Sequence, residues 1–195
     1  YEKYRDDDDY FTFKINDVDY LKNNILEISK IFDVDTKNKI ITITKNKKID
    51  IIKKIEIPKG YHFIVEEGVK LNFSQNGFLI TNDKVDIKGN LINPVIFKGI
   101  RDDLWPGMVI LANNNNVNIN SLILKRMTGK NFDNFNYSGG LTIHRAKKLI
   151  INHMKISKNL SDDAINIVES DGDIYNLNIE DTYSDGIDID FGKVN

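Results

Sequence analysis

Cysteine is absent from this 195-residue chain, which excludes a disulfide framework and any thiolate metal site. No run of about 18 apolar residues occurs, so no segment is expected to span a membrane. A secretory leader is not visible either, and there is no initiating methionine. The chain opens YEKYRDDDDY and stops at FGKVN within a pattern, so it reads as a piece of a longer protein with a covalently linked flanking domain. Net charge is only −2. A dedicated nucleic-acid binder concentrates cations on one face, so no nucleic-acid partner is expected.

The small total hides an asymmetry. From Ser161 onward there are ten acidic residues against one lysine, a charge of −9; the preceding 160 residues carry +7, from 26 cations and 19 acids. An acidic end of this kind attracts cations. Isoleucine (31) and asparagine (25) dominate the composition, and their positions are more informative than their abundance.

Those positions repeat. SDDAINI (Ser161–Ile167) returns as SDGIDI (Ser184–Ile189), with Asp163 over Asp185, Ile165 over Ile187 and Asn166 over Asp188 at an offset of 22. One series of apolar pulses runs Phe78–Ile80, Met108–Ile110, Leu141–Ile143, Ile165–Ile167 and Ile187–Ile189, in steps of 30, 33, 24 and 22. A second runs Val85–Ile87, Val117–Ile119, Leu149–Ile151 and the strand around Ile174; a third runs Val95–Phe97, Leu122–Leu124, Met154–Ile156 and Leu177–Ile179. Pulses of three to five residues are too short for helices, and Asn, Gly and Asp punctuate them.

Three short strands per 22–24-residue turn are satisfied by a coiled parallel sheet. Its turns stack at about 4.8 Å. The fold expected is therefore all-β, a right-handed parallel β-helix, because crossovers between parallel strands are right-handed. It occupies residues 40–195, with the first full rungs at Ile55–Gly60 and Val65–Phe73. Residues 1–39 form an N-terminal segment with a cap helix: Leu21, Ile25, Ile28 and Phe32 share one helical face and Asp17 is placed to cap it. Arg126–Gly139 is the clearest insertion.

The stretches IEIPKGYHFIVEEGVKLNF, NPVIFKGI, WPGMVI, GGLTIHRAKKLIINHMKI, SDDAINIVESDGDIYNLNI and YSDGIDIDF resemble the pectate-lyase-like β-helix superfamily. Within it, the SDDAINI…SDGIDIDF pair is similar to bacterial modules that accompany spore-coat kinase-type (CotH-like) proteins. The resemblance spans about residues 40–195. It implies the fold, a polysaccharide partner and an extracellular or cell-surface location. It does not choose between catalysis and binding, since the superfamily contains both. Ser184–Asp188 also resembles the acidic motif of polygalacturonase-type hydrolases, and Asp162–Asp163 resembles their paired aspartates. Here the pair precedes the motif, and the G-H-G and R-I-K motifs of those enzymes are absent.

Two functions follow as expectations. One is a non-catalytic module that scaffolds or binds polysaccharide. The other is a polysaccharide lyase or glycoside hydrolase with Asp163, Asp185 and Asp188 as catalytic carboxylates on the outer face of the last two rungs. Bare carboxylates one rung apart repel by about 0.9 kcal/mol in water and about 3.5 kcal/mol at an effective dielectric of 20. Three arrangements relieve that repulsion. The acids can accept corner amides, hold Ca²⁺ through Asp163, Asn166, Asp185 and Asp188, or share a proton as an acid/base pair. Trp105, Phe132, Phe135 and Tyr137 are candidate platforms for sugar rings, or else a satellite cluster under the inserted loop. His144 falls in the column of Asp190 and is expected at the solvated surface, while His62 and His153 have no acidic partner at a recognisable spacing. Asn120 and Asn152 are spaced to stack as an amide ladder. Lys125, Arg145, Lys147 and Lys148 are read as solvated charges.

Overall fold

The structure is a computed structural model that describes residues 18–132 and 135–195. Three short strands make one turn of a right-handed parallel β-helix, and six such turns stack among the described residues. The first sheet holds Ile40–Ile43, His62–Val65, Val85–Lys88, Asn116–Asn120, Lys148–Asn152 and Asp171–Tyr175, followed by the short Lys193–Val194. The second holds Lys48–Ile51, Lys70–Phe73, Val95–Gly99, Leu122–Lys125, Lys155–Asn159 and Asn178–Thr182. The third holds Lys54–Ile57, Phe78–Asn82, Met108–Leu111, Gly139–His144, Asp163–Val168 and Asp185–Asp190. The coil begins at Ile40, so Ile55–Gly60, expected from sequence as a first rung, holds the third strand of the first turn.

Alternation along each strand sends every second side chain into the coil. In the third sheet Ile165 pairs with Ile187 and Ile167 with Ile189, as the 22-residue repeat requires. Ile165 and Ile167 are fully buried, each worth about 1.5–3 kcal/mol relative to exposure. Interior residues touch their counterparts one turn away, and Phe73 stacks on Trp105 with centroids 4.2 Å apart.

One register differs from the sequence reading. Met108 pairs with Leu79, not Phe78, so that step is 29 residues rather than 30. Leu79 and Thr81 enter the coil opposite Ile55 and Ile57, and Phe78 and Ile80 face out. Phe78, Leu79 and Ile80 are all apolar, so alternation alone cannot say which face is buried. Both faces are in fact covered: Phe78, Ile80, Val109 and Leu111 form a second cluster on the outer wall, with Tyr137 packed against it.

Corners are tight because single residues take the left-handed conformation. Between the first and second sheets these are Ser121, His153 and Asn176, at φ 48°, 54° and 53°, on successive turns. His153 is therefore a corner residue. The paired Asn120 and Asn152 do not hydrogen-bond each other's amides. Asn120 donates to the Gly89 carbonyl, and Asn152 accepts from Asn176.

At the N-terminal end helix Val18–Ser29 lies against the first turn. Ile28 and Phe32 are buried, and the Phe32 ring meets Phe63 at 6.0 Å. Asn24 donates to the Glu56 carbonyl, tying the helix to the third sheet. The Asp33–Asp35 strand pairs antiparallel with Ile40–Ile43, covering an edge that would otherwise be open. Asp17, the expected helix cap, lies outside the described residues. Among the described residues no helix is long and apolar enough to cross a membrane.

Candidate functional site

Two regions of the outer wall carry chemistry. The first is the acidic corner of the last two turns. Asp163 lies beside Asp185 and Asn166 beside Asp188. Asp163 is buried and accepts a hydrogen bond from the Ser138 hydroxyl at 2.7 Å; Asp188 accepts one from the Asn166 amide at 3.1 Å. Asp185 is exposed. Burial pushes the Asp163 carboxyl above the ordinary aspartate range, the Ser138 hydroxyl opposes this, and the negative charges of Asp188, Asp162 and Asp185 add to it.

This does not make a calcium cage. Among the described residues no three acidic or histidine side chains are grouped to hold a metal ion. Asn166, expected as a neutral ligand, turns its amide nitrogen toward Asp188 as a donor. What the structure sets against the repulsion is side-chain hydrogen bonding, from Ser138 to Asp163 and from Asn166 to Asp188.

The aromatic residues divide. Trp105 is no sugar platform: it is 1% exposed, one ring face is covered by Phe73, and its indole N–H donates to the Lys125 carbonyl at 2.7 Å. Its large apolar area is worth more inside the coil than on the wall. Tyr137 is half-buried in the outer apolar cluster, and its hydroxyl is raised by burial and then by nearby Glu56. Lys130–Phe132 and Phe135–Tyr137 pair as an antiparallel hairpin, but the side chains of Phe132 and Phe135 lie outside what is described.

The histidines also differ from expectation. His144 does share a column with Asp190, through Val168, yet it is buried rather than solvated. Burial lowers its pKa, with Glu169 opposing and Arg145 assisting. Arg145 itself is held by Glu169 at 2.7 Å. His62 has an acidic partner after all: its Nε2 lies 2.6 Å from Asp86, which also accepts from Asn118 at 2.7 Å. The partner sits on the next turn but one column over, 24 residues away, which a search at the strict 22-residue repeat passes by.

Burial is the main cause lowering the His62 pKa, opposed by Asp86 and assisted by Lys84 and Lys88. The Asp86 carboxyl is pushed up by burial, but hydrogen bonds from Asn118 and His62 outweigh this and leave it low. Both groups release protons more readily folded than unfolded, so stability is lost as pH falls, first below the ordinary histidine value of 6.5. His62→Gln is expected to flatten the melting-temperature profile between about pH 5 and 7. Differential scanning calorimetry across that range checks it; an unchanged slope excludes His62 as the source.

The second region is a trough of about 690 Å³ on the outer wall of the second sheet. Its sides carry Lys48, Lys70, Lys98, Arg101 and Lys125, and among the described residues Asp50 is the one acid lining it. Ile96 and Ile100 form apolar floor, and Asn72 donates to Asp50 at 2.7 Å. Arg101 and Asp102 both adopt the left-handed conformation, at φ 52° and 62°, in the short turn Ile100–Asp102 that makes the rim. Sequence reading missed this region. The five cations are spread over 78 positions among many other lysines, and only the registers gather them. Lys125, read as a solvated charge, is one of them.

No family model matches the chain, and no characterised protein or solved structure does.

Proposed function

We propose that this chain is a non-catalytic β-helix module that binds polysaccharide along its outer wall. In this reading it is a pectate-lyase-like superfamily module of the kind that accompanies CotH-like proteins, placed outside the cell or at its surface and joined to a further domain. The observation carrying the proposal is the trough. It combines hydrogen-bonding side chains with an apolar floor, as sugars require, and it lies on a different sheet from the acidic corner. The acidic corner offers no comparable arrangement: Asp163 and Asp188 already accept hydrogen bonds from Ser138 and Asn166.

A second reading rests on one specific observation, the raised Asp163 carboxyl beside Asp185 and Asp188. A carboxyl whose pKa is raised, set beside further carboxyls, is the arrangement a glycoside hydrolase uses. The triple variant Asp163→Asn, Asp185→Asn, Asp188→Asn separates the two. A binding module retains glycan as well as the parent does in a pull-down on insoluble polysaccharides, and neither protein releases reducing ends or unsaturated uronate. Release by the parent that the variant abolishes establishes the enzyme instead.

Asp163→Asn alone carries a stability prediction. A carboxyl whose pKa is raised by folding weakens the fold above that pKa and ceases to do so as pH falls through it. The variant is therefore expected to match or exceed the parent's melting temperature at neutral pH, with the difference disappearing in acid. A large loss at neutral pH would show that the ionised carboxylate supports the fold.

A further inference from the structure

The parallel registers of the second sheet arrange the trough's cations in a defined series. Lys48 stands directly over Lys70, and Lys98 over Lys125. Between them the series steps one column across, because Lys70 pairs with Ile96 and Asn72 with Lys98. Four consecutive turns therefore each present one lysine to the same side, and Arg101 leans in from the rim beside the third. Adjacent lysines are one turn apart, so the series advances about 4.8 Å per charge and spans about 14 Å along the coil axis.

Most of this charge is uncompensated. Lys98 is paired with Asp102 at 2.8 Å. Lys48, Lys70, Arg101 and Lys125 have no ion-pair partner among the described residues, and Asp50 is engaged by Asn72. Like charges stacked on neighbouring turns repel, and an anion bridging two turns relieves both at once.

Resting on the reading that this wall binds polysaccharide, we propose that the trough's ligand is a linear acidic glycan, laid parallel to the coil axis with its anionic groups meeting the lysine series turn by turn. The rest of the lining fits a sugar chain better than other polyanions. Ile96 and Ile100 suit the apolar C–H faces of sugar rings. Asp50 repels a bare phosphate but accepts from a hydroxyl. Among the described residues no aromatic ring lines the trough, which leaves it without the stacking platforms by which single-stranded nucleic acid is held. Carboxylated and sulfated glycans share the chemistry that matters here, and the experiment tests both.

The full chain is titrated calorimetrically with dextran, carboxymethyl-dextran and dextran sulfate, which share one backbone and differ in charge. Expected are binding of the two charged polymers at least about tenfold tighter than dextran, and affinity that falls linearly with salt on logarithmic axes. Lys70→Glu with Lys98→Glu is expected to lose at least about tenfold in affinity for the charged polymers, while Lys37→Glu, an exposed position outside the trough, changes nothing. Circular dichroism checks that the exposed-charge variants fold, and the polymer and salt comparisons need no variant. Equal binding of neutral and charged dextran overturns the acidic-ligand inference while leaving the glycan-binding reading standing. Failure of all three polymers overturns both. An oligothymidylate that binds more tightly than carboxymethyl-dextran makes the trough a nucleic-acid surface and overturns the inference.

Discussion

Trp105→Ala is expected to lower the free energy of unfolding by about 3–5 kcal/mol, the cost of emptying a large aromatic site in a core that cannot collapse to fill it. The indole is fully enclosed, lies 13° from parallel with Phe73 and sits on the bridge to Met127. Three separate terms are lost together: the buried apolar area, the ring stacking and the hydrogen bond to the Lys125 carbonyl. Trp105→Phe keeps the first and most of the second. Its expected cost is about 1–3 kcal/mol, set largely by the unpaired Lys125 carbonyl. Urea denaturation followed by circular dichroism measures both. A loss below about 1 kcal/mol for the alanine variant would mean that the coil interior repacks freely at this turn.

Gly107→Ala is expected to cost about 3–4 kcal/mol through the backbone alone. Gly107 holds φ at +107°, and a Cβ there would lie 2.1 Å from the Gly140 carbonyl oxygen on the next turn. The methyl group cannot move aside, because the obstacle is backbone in the adjacent coil. Gly60 provides the control. Its φ is +85° but a Cβ would meet nothing within 4 Å, so Gly60→Ala is expected to show only the conformational term, about 1 kcal/mol. If the two variants lose the same amount, close approach between turns is not what fixes glycine at 107.

Much of the fold was legible because the coil converts vertical neighbours into a repeat in sequence. The pairs Asp163–Asp185, Ile165–Ile187 and Val117–Leu149 are as the offsets predict. Legibility failed where alternation failed. The run Phe78–Ile80 is apolar on both faces, and its register was read one residue out. It failed again for Trp105, since an aromatic residue beside a loop is ambiguous until its neighbours are known, and Phe73, 32 positions earlier, is what buries it. For the candidate site the sequence announced the acidic corner, because its residues are contiguous in two short phrases. It concealed the lysine series and the His62–Asp86 pair, whose members belong to different turns and, in part, to different columns. A single repeat length does not reveal such diagonal neighbours, because insertions change the step from turn to turn.

The stacking of turns has a mechanical corollary. Each coil is bonded only to the one above and the one below, so tension applied along the axis need not break the whole molecule at once. It can peel one coil at a time, and each 22-residue coil freed converts a rise of about 4.8 Å into about 70 Å of slack chain. Anchored between a surface and a second attachment, such a protein would behave as an extensible tether that lengthens in discrete increments under load.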